Sequence, residues 1–329
     1  MICTHNCPAL ATHSARRICV DVRSPFDPPN SVPALQSYLR SKERDPRKLR
    51  AAFLRAKLWA PGTTITVGFI GGEEWQRAWT AKVVTDTIAQ YTGLTFAFDL
   101  GPNGSSAMIR IAFDEAEGCY SRLGTDALQN WGGLNNSMNL GWTDAPLNHA
   151  FSYGGRSYTT STSFDQGGYP GQGTTIVHEF GHALGMVHEH QTPFGNPLVW
   201  DDAAVYSAFG GPPNNWSRLD IQSNIISVYS GVGMNGSNFD PLSIMKYSFP
   251  SGLLLRPSPA VAAEVERFNL ALSACDKYWL AVNYPGKVSE ETLLSLGAEC
   301  ASAPGLPPPN TYLIIAVLLV AVWLVWPKR

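Results

Sequence analysis

The sequence predicts an α+β protein of two lobes, in which a mixed sheet and one histidine-bearing helix form the upper lobe. Two observations support this prediction. Strand-like runs alternate with helical patterns between residues 51 and 190, whereas residues 191–286 are rich in loops and turns. The helix carries the run His178-Glu-Phe-Gly-His-Ala-Leu-Gly-Met-Val-His188, which holds three of the chain's seven histidines. A cleft between the two lobes would then hold a substrate.

Length and composition agree with one catalytic domain that has extensions at both ends. The chain has 329 residues, of which 44% are hydrophobic, so it can bury a sizeable core. Its formal net charge is −2 and it has no long basic run, so we expect no nucleic-acid partner. Only 15% of the residues are charged, which is more usual in secreted proteins than in cytosolic ones. Four Asn-x-Ser sequons point the same way, at Asn103, Asn135, Asn215 and Asn235.

Residues 1–50 are predicted to be a propeptide-like or disordered N-terminal segment. They contain three cysteines, a proline cluster and a charged run, and no apolar stretch long enough for the core of a signal peptide. The segment has no clear motif built on Asp or Cys that would block a site in the rest of the chain. Asp21 and Cys19 stay open as candidates for that role.

The upper lobe is predicted from five segments. The β-rich run at residues 63–70 lies between a Pro-Gly and a Gly-Gly pair and predicts the first strand. Large apolar side chains recur at near-helical spacing over residues 74–91, which predicts an amphipathic helix. Further strands are expected at residues 94–98 and 108–113. A strand near residues 137–142 is expected at the edge of the sheet, where it could pair with an extended substrate.

The histidine run predicts a metal site. On a helix, His178 and His182 lie one turn apart on the same face, so both imidazoles can reach one metal ion. A straight helix would carry His188 out of reach, but Gly185 can adopt φ > 0, end the helix and turn the chain back. Three neutral nitrogen ligands with an open fourth position are typical of catalytic zinc. We therefore predict one Zn²⁺ per chain.

The beginning of this helix and its glutamate complete the predicted site. Thr174 and Thr175 precede the apolar run and are expected to cap the helix. Glu179 lies beside the histidine face, where its carboxylate can touch a metal-bound water without ligating the metal. Zinc lowers the pKa of such a water to about 7. Glu179 would accept its proton during attack on a peptide carbonyl and pass that proton to the leaving amine.

The predicted function is therefore that of a zinc endopeptidase. One alternative is a catalytically silent, zinc-containing surface binding protein on the same fold, and a weaker one is a zinc hydrolase acting on non-peptide amides. The intact Glu179 argues against the first alternative, because a decayed site usually loses its general base early. A second motif, which includes Met245 and is described below, argues against a hydrolase of non-peptide amides.

The pattern His-Glu-x-x-His-x-x-Gly-x-x-His resembles the signature of the metzincin zinc peptidases, and Glu189 directly after it resembles the astacin branch. Downstream, the run Ser243-Ile-Met-Lys-Tyr247 is similar to the astacin Met-turn, a tight turn that places a methionine beneath the metal. The resemblance implies that Met245 forms the hydrophobic floor of the site. It also implies that Tyr247 supplies a phenol near the zinc, where the hydroxyl would help to hold an oxyanion.

By this resemblance the catalytic domain spans residues 51–286 and acts on a peptide or protein substrate. Animal astacins carry an Arg soon after the third histidine that is absent here, so we expect no preference for acidic substrates. Their two disulfides need four cysteines, whereas this domain holds Cys119 and Cys275, with Cys300 beyond it. A divergent, microbial rather than animal, member fits these departures. Glu189 could pair with a new N-terminal amine after processing or be a surface carboxylate.

The remainder of the chain is predicted to be a lower lobe with one helix over residues 259–274, then a Pro-rich linker over residues 287–311. Residues 312–326 are fifteen uninterrupted apolar residues. As a helix they would span about 22 Å, less than a bilayer normally requires. A membrane-spanning anchor, a cleaved lipid-anchor signal and a buried or unprocessed tail all stay open.

The preferred prediction is a membrane-anchored protein on the extracellular or secretory-pathway face. The missing signal peptide leaves a truncated start, unconventional export or a tail-anchored cytosolic enzyme as explanations. The sequence does not determine the oligomeric state.

Overall fold

The structure is a computed structural model, and it describes most of the chain between residues 52 and 302. The predicted N-terminal segment, apart from residues 20–22, and the predicted apolar anchor at residues 312–326 lie outside the described residues. The described residues are 20–22, 52–130, 135–141, 143–161, 173–211, 215–230, 233–236 and 238–302.

One mixed sheet of six strands dominates the upper lobe, in the order β1-β6-β7-β5-β3-β4. Neighbouring strands run parallel except β6 and β7, which are antiparallel. Strands β2 and β10 form a separate antiparallel pair, and β8 and β9 form another. The strands are β1 (Val20–Val22), β2 (Ala52–Leu54), β3 (Thr64–Ile70), β4 (Thr95–Asp99), β5 (Ile109–Ala112), β6 (Cys119–Arg122), β7 (Met138–Leu140), β8 (Ala150–Tyr153), β9 (Arg156–Thr159) and β10 (Met234–Gly236).

The predicted strands at residues 63–70, 94–98 and 108–113 are confirmed as β3, β4 and β5, but the predicted edge strand at residues 137–142 is wrong. β7 lies inside the sheet and pairs with both β5 and β6. All three of its residues are buried, which is the pattern of a central strand rather than an edge strand. Among the described strands, the outer positions of the sheet belong to β1, which pairs with β6, and to β4.

Helices cover the sheet and build the lower lobe. The first is shorter than predicted, because Thr87 leaves the helical conformation with φ −116° and ψ −87°. A single 3₁₀ turn follows at Ile88–Gln90. The helices are α1 (Glu74–Asp86), α2 (Thr174–Ala183), α3 (Asp202–Gly210), α4 (Arg218–Ile221), α5 (Pro259–Glu266), α6 (Ala274–Asn283) and α7 (Glu290–Ser302).

The single helix predicted over residues 259–274 is wrong, since it corresponds to α5 and the beginning of α6. Helix α5 ends because Arg267 is extended, with φ −60° and ψ 135°. Helix α6 begins after Ser273, whose side chain accepts a hydrogen bond from the backbone of Asp276 in a capping box. Between the helices, the Asn269 amide donates to the carbonyls of Pro241 and Ser243. Hydrogen bonds therefore hold the residues between α5 and α6 against the segment that contains the predicted Met-turn.

The two larger of three hydrophobic clusters among the described residues correspond to the two predicted lobes. The upper core packs the sheet against α1 and α2 and includes Phe69, Ile111 and Phe180. The lower core joins α3, α4 and α5 and includes Val205 and Phe249. The predicted α+β, two-lobed fold with its active-site helix in the upper lobe is confirmed.

Part of the predicted linker is helical. Helix α7 lies within residues 287–311, and the Ser289 hydroxyl accepts a hydrogen bond from the backbone of Thr292 at its beginning. A disulfide joins Cys275 on α6 to Cys300 on α7. The linker prediction is therefore wrong for residues 290–302, because a covalent bond and helix packing fix them against α6.

The predictions of a membrane anchor and a membrane localisation are not upheld by the described residues. Within the described part of the chain, no helix is both long enough and apolar enough to cross a membrane. The longest described helices, α1 and α7, have 13 residues each, or about 20 Å, against about 30 Å of bilayer hydrocarbon.

Candidate active site

Helix α2 carries the first two histidines and is held at both ends by distant residues. Thr174 does begin the helix, but the predicted threonine cap is wrong, because the Thr174 hydroxyl donates to the Leu270 carbonyl. The carboxylate of Asp144 accepts from the Thr175 backbone instead, at 3.3 Å. At the other end, the Trp59 indole donates to the Ala183 carbonyl at 2.8 Å. These contacts fix the axial position of the helix.

The chain reverses at Gly185, as predicted. Its φ is +89°, and hydrogen bonds from Gly185 to His182 and from Met186 to Gly181 close the helix end. The returning segment is held by a hydrogen bond from the Val187 backbone to the Ala52 carbonyl on β2. The turn brings the third histidine back beneath the helix.

The predicted histidines converge. One potential ligand atom from each of His178, His182 and His188 lies within 4.8 Å of the other two, and all three side chains are buried. The Nε2 atoms of His182 and His188 are 3.0 Å apart. Two nitrogens bound to one tetrahedral zinc at the usual bond length would be about 3.3 Å apart. The three imidazoles could therefore hold one metal ion with little movement.

Hydrogen bonds at the far side of the rings support this arrangement. Nδ1 of His178 donates to the Ile244 carbonyl and Nδ1 of His182 to the Met186 carbonyl, both at 2.9 Å. A proton on Nδ1 leaves the Nε2 lone pair available to a metal. Nε2 of His178 is buried and makes no hydrogen bond within the described residues. This is the environment that a metal ligand needs.

The charge state of His178 also fits a ligand. Burial, reinforced by the neighbouring His182, lowers the pKa of His178 to about 3, against the opposing effect of its bond to Ile244. The imidazole is thus neutral across the physiological range, which is the form that binds metal.

The predicted general base and methionine lie next to this cluster. Glu179 follows His178 on α2 and is fully buried. Met245 is also fully buried, and its carbonyl accepts from the Glu189 backbone at 3.0 Å. A Cβ at Gly181 would lie only 2.5 Å from the Met245 sulfur, so the Met-turn packs directly beneath the helix. The residues between the two helical histidines therefore touch the predicted floor.

Tyr247 packs on the histidine cluster from the lower lobe. Its ring centroid is 4.2 Å from that of His188 and 5.8 Å from that of His178. The side chain is 8% exposed. It belongs to the lower core, whereas Met245 belongs to the upper one. Two residues of a single turn thus connect the lobes at the metal site.

Glu189 is not a surface carboxylate, since it is 1% exposed and accepts a hydrogen bond from the Asp240 backbone at 2.7 Å. Pairing of Glu189 with a processed N-terminus stays a prediction. His190, for which the sequence offers no partner pattern, is buried, and its Nε2 lies 3.0 Å from the Asn224 carbonyl. Its ring stacks on those of His188 and Tyr247.

Sequence reasoning assigned no role to Asp144 or Asp276, both fully buried beside the site. Asp276 had a signal, because Ser273-x-x-Asp276 is a capping box that marks the beginning of α6. Asp144 had none, since it lies about thirty residues before the helix whose end it holds.

No protein-family model matches the chain, and no curated protein matches it. Among solved structures, one of myroilysin is 33% identical, covers 72% of this chain and 100% of that chain, and has a TM-score of 0.58. A crystal structure of myroilysin is 33% identical, covers 70% of this chain and 87% of that chain, and has a TM-score of 0.45. High choriolytic enzyme 1, a hatching enzyme zinc-protease of the medaka fish Oryzias latipes, is 16% identical. The match covers 69% of this chain and 94% of that chain, with a TM-score of 0.38.

Proposed function

Because the chain belongs to the astacin-like family of zinc metallopeptidases, we propose that it is a zinc-dependent endopeptidase acting on peptide or protein substrates. The observation that carries the proposal is the buried cluster of three imidazoles, packed between a helix and a Met-turn. Three imidazoles directed to one point, with no fourth His, Cys, Asp or Glu joining them among the described residues, are typical of a catalytic zinc site rather than a structural one.

His178, His182 and His188 would bind one zinc ion through their Nε2 atoms. Zinc bound there acts as a Lewis acid, which acidifies water and polarises a carbonyl group. The protein's own contribution is to hold the rings in place, through the backbone carbonyls that accept from Nδ1 of His178 and His182. The buried surroundings exclude competing water and strengthen these electrostatic interactions.

Glu179 would act as the general base. Its carboxylate would accept a proton from the attacking water while the water oxygen forms a bond to the peptide carbonyl carbon. The same proton would then pass to the leaving amine as the carbon–nitrogen bond breaks. Its place next to His178 on α2, and its complete burial, support this role.

Tyr247 would donate a hydrogen bond to the oxyanion, and Met245 would form the floor of the site. The closeness of the Tyr247 and His188 rings supports the first role, and the contact between Met245 and Gly181 supports the second. A donor of this kind contributes most when it is already oriented before the charge develops.

Residues 1–50 would act as a propeptide. Residues 20–22 support this role, because they pair with the outer side of β6. An extended substrate that adds a strand to this sheet would need the same edge. We therefore expect proteolytic removal of the segment to increase peptidase activity.

The test compares hydrolysis of a fluorogenic peptide by the full chain, before and after limited proteolysis, with that of Glu179→Gln. Zinc content is measured on each protein. Glu291→Gln, an exposed substitution on α7, serves as the matched control. We expect Glu179→Gln to retain zinc and lose at least about 100-fold in activity, while the control keeps both. Full zinc with no hydrolysis in the processed wild-type chain would favour a silent, zinc-containing binding protein.

A further inference from the structure

Asp276 joins helix α6 to the Met-turn through a single buried carboxylate. Its Oδ2 accepts from the backbone of Ile244 at 2.8 Å and from the backbone of Ser273 at 3.0 Å. Its Oδ1 accepts from the Ser243 hydroxyl at 2.8 Å. The side chain is completely buried. Three donors therefore hold the carboxylate in one orientation, and two of them belong to the turn beneath the metal site.

Ile244 passes this constraint to a predicted metal ligand. Its N–H donates to Asp276, and its carbonyl accepts from Nδ1 of His178 at 2.9 Å. The position of this one residue is thus fixed by the carboxylate on one side and fixes the ring of His178 on the other. The Ser243 hydroxyl adds a second connection, since it also accepts from the Met245 backbone at 3.1 Å.

We propose that Asp276 is a positioning residue of the metal site, which sets the orientation of His178 through the backbone of Ile244. The proposal rests on the proposed zinc function but does not involve contact with substrate or metal. Its physical basis is that a ligand ring whose far nitrogen bonds a fixed carbonyl loses rotational freedom before the metal arrives.

The elements around Asp276 are rigid enough to make such a constraint effective. The disulfide at the preceding residue, Cys275, attaches α6 to α7. The Asn269 amide holds the carbonyls of Pro241 and Ser243 from the opposite side of the turn. Asp276 is therefore not a mobile side chain that meets the turn by chance, because both the helix and the turn are anchored independently.

The test compares Asp276→Ala and Asp276→Asn with a matched control, Ser273→Ala, in the full-length protein. Ser273→Ala removes the hydroxyl that accepts from the Asp276 backbone at 2.9 Å and donates to the Asp240 carboxylate at 2.7 Å. It therefore weakens the beginning of α6 and its contact with Asp240, but it leaves the Asp276 carboxylate bonded to Ile244. Zinc affinity is measured by competition with a chelator. The absorption spectrum after Co²⁺ substitution reports the geometry of the ligands, and thermal unfolding of the metal-free proteins reports stability.

We expect Asp276→Ala to weaken zinc binding by roughly 10- to 100-fold and to change the cobalt spectrum. Asp276→Asn keeps one oxygen acceptor and should lie between Ala and wild type. Ser273→Ala should lower the melting temperature yet bind zinc within about threefold of wild type. If Asp276→Ala does not fold, the comparison rests on Asp276→Asn and on Ser243→Ala, which removes the hydroxyl connection.

Unchanged zinc affinity and an unchanged cobalt spectrum in the folded Asp276 variants would overturn the proposal. Equal losses in Ser273→Ala would also overturn it, because the stability of the helix start and the contact with Asp240 would then explain them without the bond from Asp276 to Ile244. These readouts do not depend on peptide hydrolysis. A wild-type chain that binds zinc but cleaves nothing would refute the peptidase and leave the role of Asp276 standing.

Discussion

Gly185→Ala should weaken both the fold and the metal site, because this residue reverses the chain between two predicted ligands. Its φ of +89° lies in the left-handed region, where an L side chain costs about 1–2 kcal/mol. Alanine also restricts the unfolded chain, which offsets about 0.4–1 kcal/mol. The new Cβ would lie 3.1 Å from a methyl group of Leu58, a tight contact. The expected net loss of unfolding free energy is about 1 kcal/mol.

The same strain should affect zinc binding, since the turn must hold His188 against His182. Gly62→Ala is the matched control. Gly62 has a similar φ of +78°, but nothing lies within 4 Å of its Cβ position. Urea unfolding of the metal-free proteins and chelator competition for zinc would be measured on both variants. Both should lose stability, whereas only Gly185→Ala should lose zinc affinity, by several-fold. If Gly185→Ala binds zinc as wild type does, the turn does not position His188 and the reasoning fails.

Three further outcomes are expected. Tyr247→Phe should lower kcat by about 100-fold with little change in KM or zinc content, as expected for a donor to the oxyanion. A rise in KM of that size with kcat unchanged would instead indicate that Tyr247 contributes to substrate binding in the ground state. Cys300→Ser removes the crosslink to Cys275 across 25 residues and should lower the unfolding free energy by about 3 kcal/mol relative to the oxidised wild type, whereas the reduced wild type should unfold like the variant. Burial raises the pKa of Asp144 to about 7, so its folded form holds a proton more tightly than its unfolded form. Wild type should therefore lose stability relative to Asp144→Asn as pH rises from about 4 to about 7, by at most about 1.4 kcal/mol per pH unit. Denaturation curves at pH 5 and 8 would measure this loss. The opposite trend would mean that the hydrogen bond from Thr175 dominates.

The histidine cluster was predictable because its geometry is local. His178 and His182 share a helix face, and the turn at Gly185 is a property of three consecutive residues. The strands at residues 63–70 and 108–113 were predictable for the same reason, since apolar runs between turn residues define them. Chemistry that depends on spacing within a dozen residues can be read from a sequence.

The order of the sheet was not predictable in this way. Strand β7 has three residues, and nothing in its sequence says that β5 and β6 lie on its two sides. Only the burial of all three residues distinguishes it from an edge strand, and burial depends on the complete fold. The helix over residues 259–274 was predicted too long because apolar spacing outweighed the capping signal at Ser273.

The contacts that orient the site come from residues far along the chain. Asp144 accepts from the backbone at the beginning of α2, 31 residues later. His178 bonds the carbonyl of Ile244, 66 residues later, and Asp276 accepts from the N–H of Ile244 from a further 32 residues along the chain. Each of these contacts pairs a buried polar group with its partner, and the buried group would destabilise the fold if that partner were absent. The ligands can thus be identified from a local motif, whereas their alignment depends on the assembly of both lobes. It follows that substitution of Asp276 on α6, a helix that carries no predicted ligand, should weaken metal binding more than substitution of an exposed residue close to α2 in the sequence.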